Sequence, residues 1–213
     1  MKVSEIFYSI QGEGVEVGYP TVFLRLFACD LRCSWCDTMY AVVGKDFKNL
    51  EIEDILNEIY NYNCKRVCIT GGEPLIQKED VEKITRILIE KGYTVILETS
   101  GHKSLPEVFS DEKCIVSMDC KCPSSGMEKR MDFSLYEKLL AKDQLKFVIK
   151  DKIDYEYAKN ILKKYKIKAS IIFQPVHGSD LPWLAESILK ENISNVRVIP
   201  QIHKIIWGNR KGV

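Results

Sequence analysis

The stretch Cys29–Thr38, CDLRCSWCDT, places three thiols on one short segment with the spacing Cys-x3-Cys-x2-Cys. It directly follows the β-branched and aromatic run 21–27, TVFLRLF, so we expect it to be a loop at the end of a strand. Thiolates bind zinc, copper(I) or iron–sulfur clusters. A structural zinc site normally has four protein ligands, and only His102 or the pair Cys120 and Cys122 could complete one here. A cubane cluster held by three cysteines instead leaves one iron open to an outside ligand.

Composition restricts the class of protein further. The chain has 213 residues, a hydrophobic fraction of 46% and a formal net charge of +1, which fits a single domain over residues 1–213. The near-neutral charge argues against direct binding to nucleic acid. No apolar run approaches the roughly 18 residues of a membrane span, and the polar N-terminus, MKVSEIFYSIQGEG, does not resemble a secretory signal. We therefore expect a cytoplasmic protein, in which clustered thiols are more often metal ligands than disulfides.

Short apolar runs alternate with amphipathic segments along the chain. The runs that predict strands are rich in β-branched and aromatic residues and cover 21–27, 66–70, 94–99, 114–119, 145–150, 169–174 and 195–200. The patterns that predict helices cover 51–62, 78–91, 133–141, 154–165 and 180–191, and we expect Asp154 and Asp180 near two of the N-terminal caps. This alternation predicts an α/β protein with mainly parallel strands. A closed eight-stranded barrel needs about 250 residues, so an open, partial βα barrel fits better.

The functional site of such a fold lies at the carboxyl ends of its strands. Residues with distinctive chemistry follow five of the predicted strands, namely Cys29–Thr38, Gly71–Pro74, Ser100–Gly101, Lys121 and Gln174–Pro175. At any single junction, Gly and Pro could simply end a strand. Five such junctions on one edge favour a shared site.

The cysteine spacing, with an aromatic residue before the last cysteine, resembles the signature of the radical S-adenosylmethionine superfamily. The sequence TGGEP (70–74) is similar to the GGEP motif of that superfamily, although alone it would indicate only a turn. The resemblance implies a 4Fe-4S cluster on Cys29, Cys33 and Cys36. Its open iron binds S-adenosylmethionine, and an electron from the cluster cleaves the sulfonium to a 5′-deoxyadenosyl radical. Glycine allows close backbone approach to a ligand, and the Glu73 carboxylate would suit the ammonium group of that cofactor.

Further motifs resemble one family within this superfamily. IQGEG (10–14), Arg25, CDT (36–38) and the C-terminal run PQIHKIIWGNRKGV (200–213) are similar to 7-carboxy-7-deazaguanine synthases, over nearly the whole chain. The resemblance implies conversion of 6-carboxy-5,6,7,8-tetrahydropterin to 7-carboxy-7-deazaguanine with loss of ammonia, on the route to the tRNA nucleosides queuosine or archaeosine. It also implies Mg²⁺, an electron donor such as flavodoxin or ferredoxin, and a homodimer.

The same resemblance assigns roles to individual residues. The substrate would contact Ile10, Gln11, Gly12, Glu13, Arg25, Thr70 and the chain end, Val213. S-adenosylmethionine would contact Trp35, Cys36, Asp37, Gly72, Glu73, Asp119, Cys120, Lys121, Gln174, Pro175, Val176 and His177. Thr38 would be the Mg²⁺ ligand, since a hydroxyl oxygen is an acceptable hard ligand. The family's usual Ser-Pro-Lys is replaced here by Asp119-Cys120-Lys121, with Ser117 two residues earlier, so its serine has no direct match.

Simpler alternatives stay open for several of these residues. Thr38 could cap a helix, His177 could be a surface loop residue, and the C-terminal run could be either docked or disordered. For the whole protein, a glycyl-radical activating enzyme shares the cysteine loop, the GGEP motif and an Asp-x-Lys, but not Gln11–Gly14 or the tail. A non-catalytic zinc-binding module is the alternative from a different class.

Overall fold

A single nine-stranded sheet organises the computed structural model, which describes residues 1–213. Its strands are β1 (Lys2–Ile10), β2 (Pro20–Leu26), β3 (Lys48–Asn49), β4 (Arg66–Gly71), β5 (Thr94–Thr99), β6 (Cys114–Cys120), β7 (Gln144–Ile149), β8 (Ser170–Pro175) and β9 (Val196–Val198). Their order in the sheet is β3-β1-β2-β4-β5-β6-β7-β8-β9. All neighbours from β2 to β9 pair in parallel, and β1 is antiparallel to both β2 and β3. The mainly parallel, open α/β sheet confirms the predicted fold class.

Four helices cover the outer face of the sheet, namely α1 (Ile52–Tyr60), α2 (Lys78–Glu90), α3 (Lys152–Lys164) and α4 (Leu181–Lys190). A fifth helix, α5 (Ile202–Trp207), lies instead against the N-terminal segment, where the Ile202 N–H donates to the Gly12 carbonyl. The first four confirm predicted helices. The helix predicted over 133–141 is wrong: the backbone forms 3-10 turns over Phe133–Lys138. They begin at Asp132, whose carboxylate accepts a hydrogen bond from the Ser134 N–H (3.0 Å), and such tight turns rarely extend into a long helix.

Both Asp154 and Asp180 lie near a helix N-terminus, as predicted, but only one of them is the cap itself. Asp180 caps α4 by accepting a hydrogen bond from the Trp183 N–H (2.9 Å), as predicted. The cap of α3 is Asp151, which accepts from the N–H of Ile153 at 2.9 Å. Asp154 instead lies buried in the first turn, where it accepts bonds from the N–H groups of Ser124 (2.8 Å) and Lys150 (3.0 Å). Asp154 therefore joins the helix to the loop that follows β6.

Strand alternation gives the sheet two different faces. Outward side chains belong to a core cluster of 37 buried residues, which packs beneath the helices. The inward face holds a separate cluster of four buried residues, Phe7, Phe23, Cys68 and Ile96. The rings of Phe7 and Phe23 stack with their centroids 4.9 Å apart. This small apolar cluster forms the floor under the polar side chains that follow it along the strands.

Strand β1 is absent from the sequence-based prediction. The strand pairs antiparallel with β2, and its alternating side chains supply Phe7 to the inner floor.

No helix of the protein has the length and apolar character needed to cross a bilayer.

Candidate active site

A cavity of about 370 Å³ opens at the carboxyl ends of the parallel strands. The six neighbouring strands β2, β4, β5, β6, β7 and β8 each contribute an inward polar side chain to its wall: Arg25, Thr70, Glu98, Asp119, Lys146 and Gln174. Because alternate residues of a strand point to opposite faces, these side chains share one wall while their neighbours enter the outer core. The site is thus lined by a polar layer on an otherwise apolar sheet.

Most of the residues assigned by resemblance line this one cavity. They comprise the three cysteines and Thr38, the cofactor candidates Trp35, Asp37, Gly72, Asp119, Lys121, Gln174, Val176 and His177, and the substrate candidates Ile10, Gln11, Gly12, Glu13, Arg25, Thr70 and Val213. Residues far apart in sequence therefore meet at the strand ends, as expected of a shared site.

Three predicted cofactor contacts do not reach the cavity. The side chains of Cys120 and Pro175 point to the opposite face of the sheet, since their neighbours Asp119 and Gln174 point inward. The carboxylate of Glu73 is fully buried and accepts hydrogen bonds from the Leu75 N–H (3.0 Å), the Thr99 hydroxyl (2.9 Å) and the Ser100 N–H (2.8 Å). Both oxygens of Glu73 therefore already accept hydrogen bonds within the protein, and its side chain does not line the cavity where an ammonium group would bind.

The two glycines before Glu73 serve the packing of two loops. Gly71 has a φ of +135°, and a Cβ on Gly72 would lie 2.2 Å from the carbonyl oxygen of Ala28. The Gly72 N–H donates to the Leu26 carbonyl (3.1 Å), and the Glu73 N–H donates to the Ala28 carbonyl (2.9 Å). Only glycine fits such a close approach. The TGGEP segment is thereby held directly against the start of the cysteine loop.

The three thiols Cys29, Cys33 and Cys36 line the cavity together, and their loop carries no fourth Cys or His. Burial raises the pKa of Cys29 and Cys33, so both are protonated until a metal displaces the proton. No set of three or more His, Cys, Asp or Glu side chains converges as a single-ion site would require. Cys120 and Cys122 are buried in the outer core. The zinc alternative needs His102, or Cys120 and Cys122, and none of these lines the cavity. Three thiols beside an open cavity instead fit a cluster with one open iron.

A line of alternating charges crosses the cavity wall formed by β6 and β7. Lys146 forms ion pairs with Glu13 and with Asp119 Oδ1 (3.1 Å), and Lys121 pairs with Asp119 Oδ2 (2.6 Å). Burial favours the neutral form of Glu13, but the charges of Lys146 and His203 and the hydrogen bond from Gln201 outweigh it and lower the pKa of Glu13 to about 2. Glu13 is therefore ionised inside the cavity.

Arg25 places a cation in the part of the cavity wall that β2 forms. Its Nε donates to Glu5 Oε1 (2.7 Å), and that oxygen also accepts from the hydroxyl of Tyr40 (2.7 Å). The terminal nitrogens of Arg25 have no hydrogen-bond partner within the protein, so they are available to an anion in the cavity. Burial opposes the charge, but Tyr40 and Glu5 outweigh it and raise the pKa of Arg25.

Glu98 accepts hydrogen bonds from two predicted substrate contacts, the amide of Gln11 (3.1 Å) and the hydroxyl of Thr70 (2.7 Å). The side chain of Gln174, which is 1% exposed, has an Oε1 with no hydrogen-bond partner. A buried acceptor of this kind in a cavity wall calls for a donor from a bound ligand.

The C-terminal run is docked, which resolves the alternative left open above. The Ile202 N–H donates to the Gly12 carbonyl (3.0 Å), and Lys204 pairs with Asp37 at 3.1 Å. A Cβ on Gly12 would lie 2.2 Å from Nδ1 of His203. The run therefore closes one side of the cavity against the N-terminal motif, and the terminal residue lies in the cavity wall.

Several residues of the site were not predicted: Glu98, Lys146, Gln201, His203 and Lys204. The signal for Lys146 was available, because a lysine inside the central strand LKFVIK (145–150) must be paired when it is buried. Glu98 in TVILET (94–99) carried the same signal.

Comparison with known proteins places the chain among relatives. The family model described as "Radical SAM superfamily" matches residues 25–131. The chain is 38% identical to 7-carboxy-7-deazaguanine synthase of Thermoplasma acidophilum over the full length of both proteins, and 38% identical to that of Methanospirillum hungatei JF-1 over 97% of this chain and 85% of the relative.

The fold also resembles a solved structure. QueE from Escherichia coli superposes with a TM-score of 0.78 at 24% identity and covers 94% of this chain and 93% of the other, which supports the fold alone. With its cysteine loop, its cavity and relatives of matching length, the chain belongs to the 7-carboxy-7-deazaguanine synthase family of the radical S-adenosylmethionine superfamily.

Proposed function

We propose that the protein is a carbon–nitrogen lyase that converts 6-carboxy-5,6,7,8-tetrahydropterin to 7-carboxy-7-deazaguanine with loss of ammonia. Two findings together carry the proposal. The chain is similar over its full length to synthases of this name, and most of the contact residues expected from that similarity line one cavity. The product belongs on the route to 7-deazapurine nucleosides of tRNA.

Cys29, Cys33 and Cys36 would hold the 4Fe-4S cluster, and the adjoining wall of Trp35, Gly72 and Lys121 would hold S-adenosylmethionine. When bound, these groups supply the radical that starts the reaction. The unpartnered Oε1 of Gln174 supports this placement, because an amino or hydroxyl group of the cofactor would satisfy it.

The opposite wall suits a pterin that carries a carboxylate. The free terminal N–H groups of Arg25 form a fork that matches a carboxylate. The ionised carboxylate of Glu13 and the carboxylate oxygens of Glu98 can accept hydrogen bonds from the amino and ring N–H groups of the pterin. Lys146 keeps Glu13 ionised in the closed cavity. The stacked rings of Phe7 and Phe23 exclude water from below.

Thr38 would bind Mg²⁺. It precedes the short 3-10 turn Met39–Ala41, but its side chain makes no capping hydrogen bond, so the simpler explanation of a helix cap does not account for it. Its hydroxyl lines the cavity and lies 3.8 Å from Cys36 Sγ. Magnesium needs few protein ligands, because it keeps waters and binds substrate oxygens.

A glycyl-radical activating enzyme acts on a protein loop, which needs a wide entrance. Here the N-terminal motif and the docked C-terminal run meet through the Gly12–Ile202 hydrogen bond and the Gln201–Glu13 hydrogen bond (2.6 Å). The cavity volume matches a small molecule. These contacts favour a pterin over a macromolecular substrate.

The test is a product assay under strict exclusion of oxygen. Reconstituted protein is incubated with 6-carboxytetrahydropterin, S-adenosylmethionine and dithionite, with and without Mg²⁺, and the products are separated by mass. We expect 7-carboxy-7-deazaguanine and ammonia, in larger amounts when Mg²⁺ is present. Intact pterin together with cleaved S-adenosylmethionine would refute the substrate, and equal rates without Mg²⁺ would refute the role of Thr38.

Two partners complete the proposal. A flavodoxin or ferredoxin would replace dithionite as reductant, which can be tested by substituting each for dithionite in the same assay. The protein would act as a homodimer, which sedimentation analysis of the reconstituted protein can test.

A further inference from the structure

Hydrogen bonds and the backbone of residues 28–30 together form a closed ring that includes Cys29, the first cysteine of the loop. Nε2 of His102 lies 2.7 Å from Asp30 Oδ1, and Nδ1 of His102 lies 2.9 Å from Ser100 Oγ. The hydroxyl and the N–H of Ser100 both bond Glu73 Oε2. The Glu73 N–H then donates to the carbonyl of Ala28 (2.9 Å). Cys29 closes the ring, because it is the only residue between Ala28 and Asp30.

Donor and acceptor counting shows how the ring is held together. Ser100 has one hydroxyl proton, and it lies in a short bond to the Glu73 carboxylate. Nδ1 of His102 is paired with Ser100 Oγ, and Nε2 is paired with the carboxylate of Asp30. The His102 ring therefore stands between two carboxylates, with Nδ1 3.9 Å from Glu73 Oε2. Hydrogen bonds between charged groups are about twice as strong as neutral ones.

Burial distinguishes this ring from ordinary surface ion pairs. The side chain of His102 is 3% exposed and that of Glu73 is not exposed. Asp30 also contacts Lys103 (2.8 Å) and Arg130 (3.5 Å), but those partners are more exposed, and exposed pairs contribute little to stability. Asp30, whose side chain is 35% exposed, therefore has one buried partner, His102, and two exposed ones.

We propose that Asp30 and His102 are positioning residues, which fix Cys29 relative to Gly72 and so align the cluster ligand with the cofactor-binding segment. Neither side chain lines the cavity, so neither touches cluster or substrate directly. The proposal rests on the proposed function in that Cys29 is taken as a cluster ligand. It adds a reason why the buried Glu73 is a carboxylate: it is the inner anchor of the ring.

The test compares variants that open the ring at different points. His102→Asn keeps a polar group near the position of Nδ1 and loses the bond to Asp30. Ser100→Ala opens the ring at Glu73. The matched control is Lys103→Met, because Lys103 also contacts Asp30 but lies outside the ring. Circular dichroism of each apo protein checks that the fold is retained.

Two measurements report on the loop. In the apo proteins, hydrogen exchange of residues 29–36 is expected to be about tenfold faster in His102→Asn and Ser100→Ala than in the wild type and in Lys103→Met. In the reconstituted proteins, a chelator is expected to bleach the cluster absorbance about tenfold faster in the same two variants. Iron content immediately after reconstitution is expected to equal that of the wild type.

The outcomes separate the two levels of inference. If the wild type binds no iron–sulfur cluster, the proposed function fails, while the exchange measurement still tests the ring. If the wild type binds a cluster and His102→Asn matches it in both exchange and bleaching, the positioning role is refuted. Equal acceleration in Lys103→Met would refute the ring as the cause and assign the effect to any contact of Asp30.

Discussion

Removing the charge of Lys146 gives the sharpest test of the electrostatic structure of the cavity. In Lys146→Met, Glu13 keeps the hydrogen bond from Gln201 and the nearby His203, and Asp119 keeps only Lys121. The pKa of Glu13 is lowered from its ordinary 4.5 to about 2, which by linkage corresponds to about 3 kcal/mol of stability at neutral pH. Losing one partner of a buried ion pair typically costs about 3–5 kcal/mol. We therefore expect the free energy of unfolding to fall by about 3 kcal/mol.

The lowered pKa of Glu13 determines how the stability difference between the two proteins changes with pH. A carboxylate with a lowered pKa in the folded state stabilises above its unfolded pKa, and the contribution is lost as the pH falls through the folded pKa. For Glu13 that window runs from about 4.5 down to about 2. The difference between wild type and Lys146→Met should therefore be largest near neutral pH and narrow as the pH falls below about 4.5.

Urea unfolding of the apo proteins, followed by circular dichroism at several pH values, measures this difference. Lys150→Met is the matched control, since Lys150 lies directly after the same strand but is exposed and forms no ion pair. We expect its effect to stay within about 0.5 kcal/mol. If Lys146→Met equals the wild type at neutral pH, or if its deficit does not change with pH, the assigned ion pair with Glu13 is wrong.

Three further predictions concern the site. Cys33→Ala should lose the cluster and all reductive cleavage of S-adenosylmethionine, measured as iron content and 5′-deoxyadenosine; a full cluster in this variant would contradict the ligand assignment. Arg25→Ala should keep the cluster and uncoupled cleavage but lower kcat/KM for the pterin about 10- to 100-fold, as expected for lost charged hydrogen bonds, and wild-type efficiency would rule out the carboxylate contact. Gly12→Ala should displace His203, because its Cβ would lie 2.2 Å from Nδ1; limited proteolysis should then cut the C-terminal run faster than in Gly18→Ala, which strains the backbone locally at a φ of +93° but whose added Cβ meets no atom within 4 Å.

The sequence predicts the architecture well where strand and helix patterns are strong. The seven predicted strands all occur, since each is an apolar run with turn residues at its end. Strand β1 was missed because its half-buried alternation contains Ser4 and Glu5 among its apolar residues, and only pairing with β2 shows its role. The segment 133–141 has an apolar stripe, but the Asp132 turn starts a tighter backbone.

For the site, motifs predict which segments meet, and the parity of each strand decides which side chains face the cavity. Cys120 and Pro175 belong to the correct segments but point outward. Glu73 shows a different limit: its chemistry suits a ligand, but Ser100 and Thr99 occupy it, and those contacts depend on the neighbouring strand. The spacing of residues in the sequence does not show whether a buried acceptor already receives hydrogen bonds from donors elsewhere in the protein.

The two-faced sheet restricts which changes of chain length the fold can accept. Deleting one residue early in β7 would exchange Lys146 for Phe147, which would insert a charge beneath the helices and an aromatic ring into the cavity. Insertions and deletions among homologues should therefore fall between the strands. Within the strands, the inward positions can change only by substitution, so changes in ligand preference can accumulate there while the outer packing stays intact.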